Sequence, residues 1–315
     1  MHAGFTKALH RFVLPSNMMI KTSKQTGKTD IFSPMQELAR KMTRPVLITV
    51  APNGARKLKQ DHPQLPLTAD ELGETAAACS EAGASMLHLH VRDKDFTHSL
   101  DPELYQMAIS QIRKVAGPDL IIQITTEAVG RYQPAEQMEC VRKTQPEAVS
   151  LALRELIPEA KHESAAARFF HWLYNERIAP QYILYDSADI QTFKDLCQRG
   201  LIPDESIHIL LVLGRYQASQ ESDPEALPPL LAHLESSWLW SACAFGRNES
   251  RCMDAAIEAG GHCRVGFENN LLLPDGNIAS SNADLVQTTA DLAIEAGCSV
   301  ADPATARELL QVHSR

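Results

Sequence analysis

Eight short apolar runs, each followed by a stretch with helical spacing, constrain this chain of 315 residues more than any other feature. They lie at 46–50, 86–93, 120–125, 148–153, 181–187, 207–214, 239–246 and 262–268. Strands that alternate with helices predict parallel βα units. Eight such units close a (β/α)8 TIM barrel, an α/β fold that the length accommodates. An open doubly wound sheet fits the same alternation, but no Gly-x-Gly-x-x-Gly or P-loop follows any run. The expected barrel spans 45–315. Thr68 and Glu71 form a capping box, and Asp101-Pro102 and Asp302-Pro303 are helix starts. Glu-Ala-Gly recurs at 81–83, 258–260 and 295–297, where helical patterns stop.

A net charge of −9 without a basic stripe argues against nucleic acid as a partner. The longest apolar runs, such as 207–214, fall far short of the roughly 20 residues of a membrane helix. No membrane partner is expected. Seven scattered cysteines without a Cys-x-x-Cys pair predict reduced core thiols, which fits a cytoplasmic location. Residues 1–44 differ: Lys7, Arg11, Lys21, Lys24, Lys28, Arg40 and Lys41 stand against only Asp30 and Glu37 before Arg44. They are expected to be a partly disordered leader, akin to a transit peptide, or a docking arm.

Within the second run, His88, His90 and Arg92 share one face of an extended chain, and Leu87, Leu89 and Val91 the other. Two imidazoles aimed at one spot bind a metal only with a third or fourth ligand. The eighth run offers one, because alternation sets Arg264, Gly266 and Glu268 on a common face. An inward glutamate needs a cation, and His2Glu with an open position is a catalytic zinc set. The sequence therefore predicts Zn2+ at His88, His90 and Glu268. His208 begins its run, the wrong end for such a site, and is read as structural.

Four separated motifs in order resemble the β-keto acid cleavage enzymes, a family that includes the 3-keto-5-aminohexanoate cleavage enzyme. They are Thr-Val-Ala-Pro-Asn-Gly-Ala at 49–55, His88-Leu89-His90-Val91-Arg92, Gln123-Ile124-Thr125-Thr126 and Arg264-Val265-Gly266-Phe267-Glu268-Asn269-Asn270. The resemblance runs from about Pro45 to the last helix. It implies a zinc-dependent barrel, commonly a homotetramer, that converts a β-keto acid and acetyl-CoA into acetoacetate and a new acyl-CoA. By position it implies His88, His90 and Glu268 as zinc ligands and Arg264 as the catalytic arginine. Thr125 and Ser150 fall where the family holds substrate oxygens, and Asn53 and Thr126 join them as substrate-binding candidates.

Two departures stand out. Asn269 occupies the position of an aspartate assigned to acid–base work, and an amide cannot take the proton, although it can orient substrate. Glu127, Asp186 and a water ordered by Arg264 are the candidates left for that task. Arg56 stands where the aminohexanoate enzyme has an acid, which suggests a keto acid with an anionic or polar distal group. CoA has no motif here; Arg92, Arg131, Arg154, Arg215 and Arg247 follow strands and are candidates for its phosphates. The alternatives are a metal-dependent hydrolase on the same fold and a non-catalytic zinc-containing binding barrel.

Overall fold

The structure is a computed structural model that describes residues 44–203, 205–215 and 221–313. Eight strands form a closed barrel in sequence order. They are β1 (Ile48–Val50), β2 (Met86–Leu89), β3 (Ile121–Thr125), β4 (Ala148–Ala152), β5 (Ala179–Leu184), β6 (His208–Leu213), β7 (Leu239–Ala244) and β8 (His262–Val265). Every neighbouring pair is parallel, and β8 closes on β1 with Arg264 opposite Thr49. The barrel expected from the alternation is therefore present.

Helices follow the strands: α1 (Ala69–Glu81), α2 (Pro102–Ala116), α3 (Pro134–Thr144), α4 (Glu163–Asn175), α5 (Ser187–Gln198), α6 (Leu227–Leu231), α7 (Glu249–Glu258), α8 (Asn282–Glu295) and α9 (Pro303–Leu310). Thr68 and Glu71 complete the capping box of α1, and Asp101 and Asp302 cap α2 and α9. Gly83, Gly260 and Gly297, the glycines of the recurring tripeptide, all adopt positive φ just past their helices. That left-handed step frees the chain to enter the next strand.

Outward residues such as Val50, Leu87, Ile122 and Val149 pack against Leu72, Ala76, Tyr105 and Ile112 of the helices in one large core. A second apolar cluster fills the barrel's lower end, where Leu47, Met86, Ile121 and Ala148 meet Ala306, Leu310 and Val312 from the C-terminal segment. Above it, Gln123, Gln181, His208 and Ser241 are buried at the middle of the barrel. His208 thus opens its strand, away from the strands' C-terminal ends, as its place in the run suggested.

The expected leader lies outside the described residues except Arg44. The Arg44 guanidinium donates to the carbonyls of Ile257 and Gly261, so the ordered body includes it. β2 and β8 stop well before their apolar runs end. After Leu89 the chain leaves the barrel, and Val91–Arg92 pairs antiparallel with His98–Ser99. β8 stops at Val265 because Gly266 has φ +133°. Among the described residues no helix is long and apolar enough to cross a membrane.

Candidate active site

His88 projects inward from β2, and His90 follows just past the strand's end. Both are buried. Gln123 on β3 lies opposite His88 in the register and takes its Nδ1 proton through Oε1 at 2.7 Å. An amide oxygen can only accept, so Nε2 of His88 is bare. Burial, with Arg264 adding to it, pulls the His88 pKa well below its ordinary value, so the ring stays neutral as a metal ligand must.

Glu268 reaches these rings from a turn rather than from an extended strand, which corrects the expected alternation beyond Val265. Glu268 N donates to Ala51 O and Asn269 N to Gly266 O, so the backbone folds back over β1. A Cβ on Gly266 would sit 2.5 Å from Ala51 O, and one on Gly54 2.5 Å from Glu268 Cγ. Only glycine permits either approach, which is the physical content of the Asn-Gly and Val-Gly-Phe-Glu motifs. Asn282 staples the two loops, accepting from Phe267 N and donating to Pro52 O.

Three ligand atoms converge. His88 Nε2 and His90 Nε2 are 3.1 Å apart, and Glu268 Oε2 lies 3.2 Å from His90 Nε2 and 3.7 Å from His88 Nε2. Tetrahedral zinc with Zn–N near 2.0–2.1 Å places its ligands about 3.3 Å apart. Burial opposes ionisation of Glu268, but Arg264 and the two histidines hold its carboxyl well below the usual range. A bare nitrogen and a carboxylate oxygen therefore face a third acceptor-capable ring, and one proton on His90 can serve only one of them. A cation satisfies all three, so the donor set fits a metal ion. Among the described residues this is the one cluster of His, Cys, Asp or Glu that could hold one.

Arg264, from β8, pairs with the other oxygen of Glu268, and its Nε has no partner. The site opens on a cavity lined by Thr125, Thr126, Ser150, Arg264, Asn269 and the three converging residues. Ser150 Oγ and both amide atoms of Asn269 are buried without partners. Thr125 Oγ1 accepts from Glu127 N, leaving its own proton to donate. Thr126 Oγ1 is spent on Ser150 O, so Thr126 shapes the wall. Ile183, Val212, Cys243 and Phe245 form the apolar side.

A wider outer cavity adjoins the first and is lined by Asn53, Arg56, Lys57, Glu127 and Arg215. Asn53 is committed to the backbone, donating to Pro66 O and His90 O, which positions His90. Arg56 and Arg215 both pair with Glu127, at 2.7 and 3.2 Å. Lys57 Nζ donates to Glu268 O, a contact that no sequence motif signals. Burial lowers its pKa, against the pull of Glu268 and Glu249. Glu249, also missed, is buried in α7 and accepts from Asn270; burial raises its pKa to about 8. Neither residue had a patterned neighbour to betray it.

Several candidates are placed elsewhere. Arg92 turns away from the cavity, and its guanidinium donates to the carbonyls of Gly54, Ala55, Lys57 and Phe96, a clamp on the Asn-Gly loop. Arg131 stacks on Tyr132, Arg154 pairs with Asp186 and Asp189, and Arg247 pairs with Glu221. Of the five arginines, only Arg215 lines the site. Asp186 caps α5 and lies outside both cavities.

A profile of the beta-keto acid cleavage enzyme family matches residues 45–312. The chain is 34% identical to 3-oxoadipate:acetyl-CoA acetyltransferase of Cupriavidus necator, over 87% of this chain and 97% of that protein. It is 31% identical to the 3-keto-5-aminohexanoate cleavage enzyme of Acetoanaerobium sticklandii, over 85% and 98%. A solved ternary complex of ObcA with a C4-CoA adduct and oxalate superposes with a TM-score of 0.66 at 16% identity, over 79% of this chain and 68% of that one, a likeness of fold. On the match across its whole barrel, this chain belongs to the beta-keto acid cleavage enzyme family.

Proposed function

We propose that the protein transfers an acyl group from a β-keto acid to CoA: β-keto acid plus acetyl-CoA gives acetoacetate and a new acyl-CoA, at a zinc site held by His88, His90 and Glu268. The convergence of three ligand atoms beside a buried, partly unpaired arginine supports this assignment most directly. A bound zinc ion would supply Lewis acidity to the oxygens of the keto acid.

The protein's own groups account for the rest. Arg264 holds anionic charge on the substrate through Nε, which has no internal partner. Thr125 and Ser150 donate hydroxyl protons to substrate oxygens, and Asn269 orients the keto acid with its amide. Asn269 cannot take a proton, and Asp186 lies outside the cavity. We assign that step to Glu127, which faces both cavities and is oriented by Arg56 and Arg215. Asn53 and Thr126 act by positioning.

Around the two cavities stand four cations, Arg56, Lys57, Arg215 and Arg264, against three carboxylates, Glu127, Glu155 and Glu268. The excess before any metal binds favours an anionic distal group, and 3-oxoadipate, named for one relative, has one. Acetoacetate production from acetyl-CoA with cationic, neutral and anionic β-keto acids tests both points. Preference for the cationic acid overturns the substrate class, and no acetoacetate from any overturns the reaction in favour of a hydrolase or a binding barrel. A cytoplasmic homotetramer completes the proposal, checked by fractionation and sedimentation.

A further inference from the structure

Barrel interiors are filled mainly by branched apolar side chains. In this one a buried row of polar groups crosses from β7 to the metal site. Ser241 Oγ and Gln181 Nε2 both lie 2.9 Å from His208 Nε2. Gln181 Oε1 accepts from Gln123 Nε2 at 3.2 Å, and Gln123 Oε1 accepts from His88 Nδ1.

We propose that this row is a positioning device: Gln181 and His208 lock the Gln123 amide so that it takes the Nδ1 proton of His88 and leaves Nε2 bare for the metal. Every link has a donor facing an acceptor, and turning either glutamine amide over would set like atoms face to face. With Gln181 Nε2 as donor, His208 Nε2 is the acceptor that sets this polarity at the far end. Burial foremost, and His262 next, pull the His208 pKa down to about 3, so the ring stays neutral at ordinary pH and keeps one nitrogen able to accept. Groups beyond a metal ligand commonly fix its tautomer and orientation; here the support extends two residues further, across the barrel.

The consequence for metal affinity rests on the zinc assignment above, but the tautomer does not, and the test separates them. Ring 15N shifts of His88 are read in chelator-treated protein, with a His88→Gln variant for assignment, and zinc affinity by competition with a chromophoric chelator. Wild type is expected to show Nδ1 protonated. Gln123→Leu is expected to mix the tautomers and weaken zinc binding about 10- to 100-fold, and Gln123→Glu, which keeps an acceptor, to restore both. Gln181→Met, similar in length without the polarity, is expected to mix the tautomers at one remove and weaken zinc binding less than Gln123→Leu does. A folded Gln181→Met with the wild-type tautomer and affinity would reduce the row to packing and overturn the proposal. If that variant does not fold, His208→Leu applies the same criterion from the far end. Wild type that takes up no zinc sinks the zinc assignment, while the tautomer still decides the role of the row.

Discussion

Two histidine clusters share the barrel interior and differ in what they leave unpaired. Around His208, the nitrogen facing Gln181 and Ser241 and both glutamine amides have partners, and no atom of the four side chains is orphaned. Around His90, Nδ1 of the ring, Oε2 of Glu268, Nε of Arg264, Oγ of Ser150 and the whole Asn269 amide are buried without hydrogen bonds. Native interiors rarely tolerate that, since each unmet group costs about 1–3 kcal/mol. Equal burial thus serves two ends: the lower cluster satisfies its own polar groups, whereas the upper one leaves polar atoms free to take a ligand.

The strongest way to break this contrast is Glu268→Gln. Loss of a ligand and of the partner of Arg264 is expected to abolish zinc uptake, to lower kcat/KM for acetoacetate formation about a thousand-fold, and to destabilise the protein by about 3–5 kcal/mol in urea unfolding. Full activity with stoichiometric zinc would refute the metal assignment. Next is Glu249→Gln, behind the upper cluster. The folded pKa of Glu249, about 8, exceeds the ordinary 4.5, so the folded state holds this proton more tightly than the unfolded state. Its contribution is full below the ordinary value and lost as pH rises through about 8. Unfolding midpoints measured across that window should fall with pH in wild type, with a slope of about 1.4 kcal/mol per pH unit from this group, and the variant should lose that slope.

Gly54→Ala probes the upper cluster from its loop. The added Cβ meets Glu268 Cγ at a residue with φ +61°, so a loss of about 1–3 kcal/mol and weaker zinc binding are expected. Calorimetry and chelator competition measure the two. Smallest is Ser241→Ala in the lower cluster, where one hydrogen bond to His208 is worth about 1 kcal/mol. A larger loss of zinc affinity there than in Gly54→Ala would reverse the contrast.

The barrel and the convergence of His88, His90 and Glu268 were legible because both depend on periodicity and residue type. Eight runs sufficed for the strands, and His88, His90 and Glu268 were found by alternation and the need of a buried carboxylate for a cation. Alternation failed where the strands end. Arg92, a sequence candidate for CoA phosphates, clamps loop carbonyls, because the chain departs from β2 after Leu89. Glu268 was placed on the right face for the wrong local reason, since the turn at Gly266 delivers it. Lys57, Asn282 and Glu249 were invisible, because each acts through contacts made by chain segments distant in sequence. The roles of Arg264, Thr125 and Ser150 came from family resemblance; the structure adds their unmet hydrogen-bonding capacity.

The apolar plug of Leu47, Met86 and Ile121 against Leu310 and Val312 bears on traffic as well as on stability. A barrel stoppered below has a single doorway, so whatever enters last must leave first. Under the proposed reaction, a compact keto acid sits beneath a long thioester, and the thioester product must depart before the deeper ligand can be exchanged. Under that reaction, the queue would be an ordered kinetic scheme imposed by a patch of hydrocarbon at the far end of the barrel.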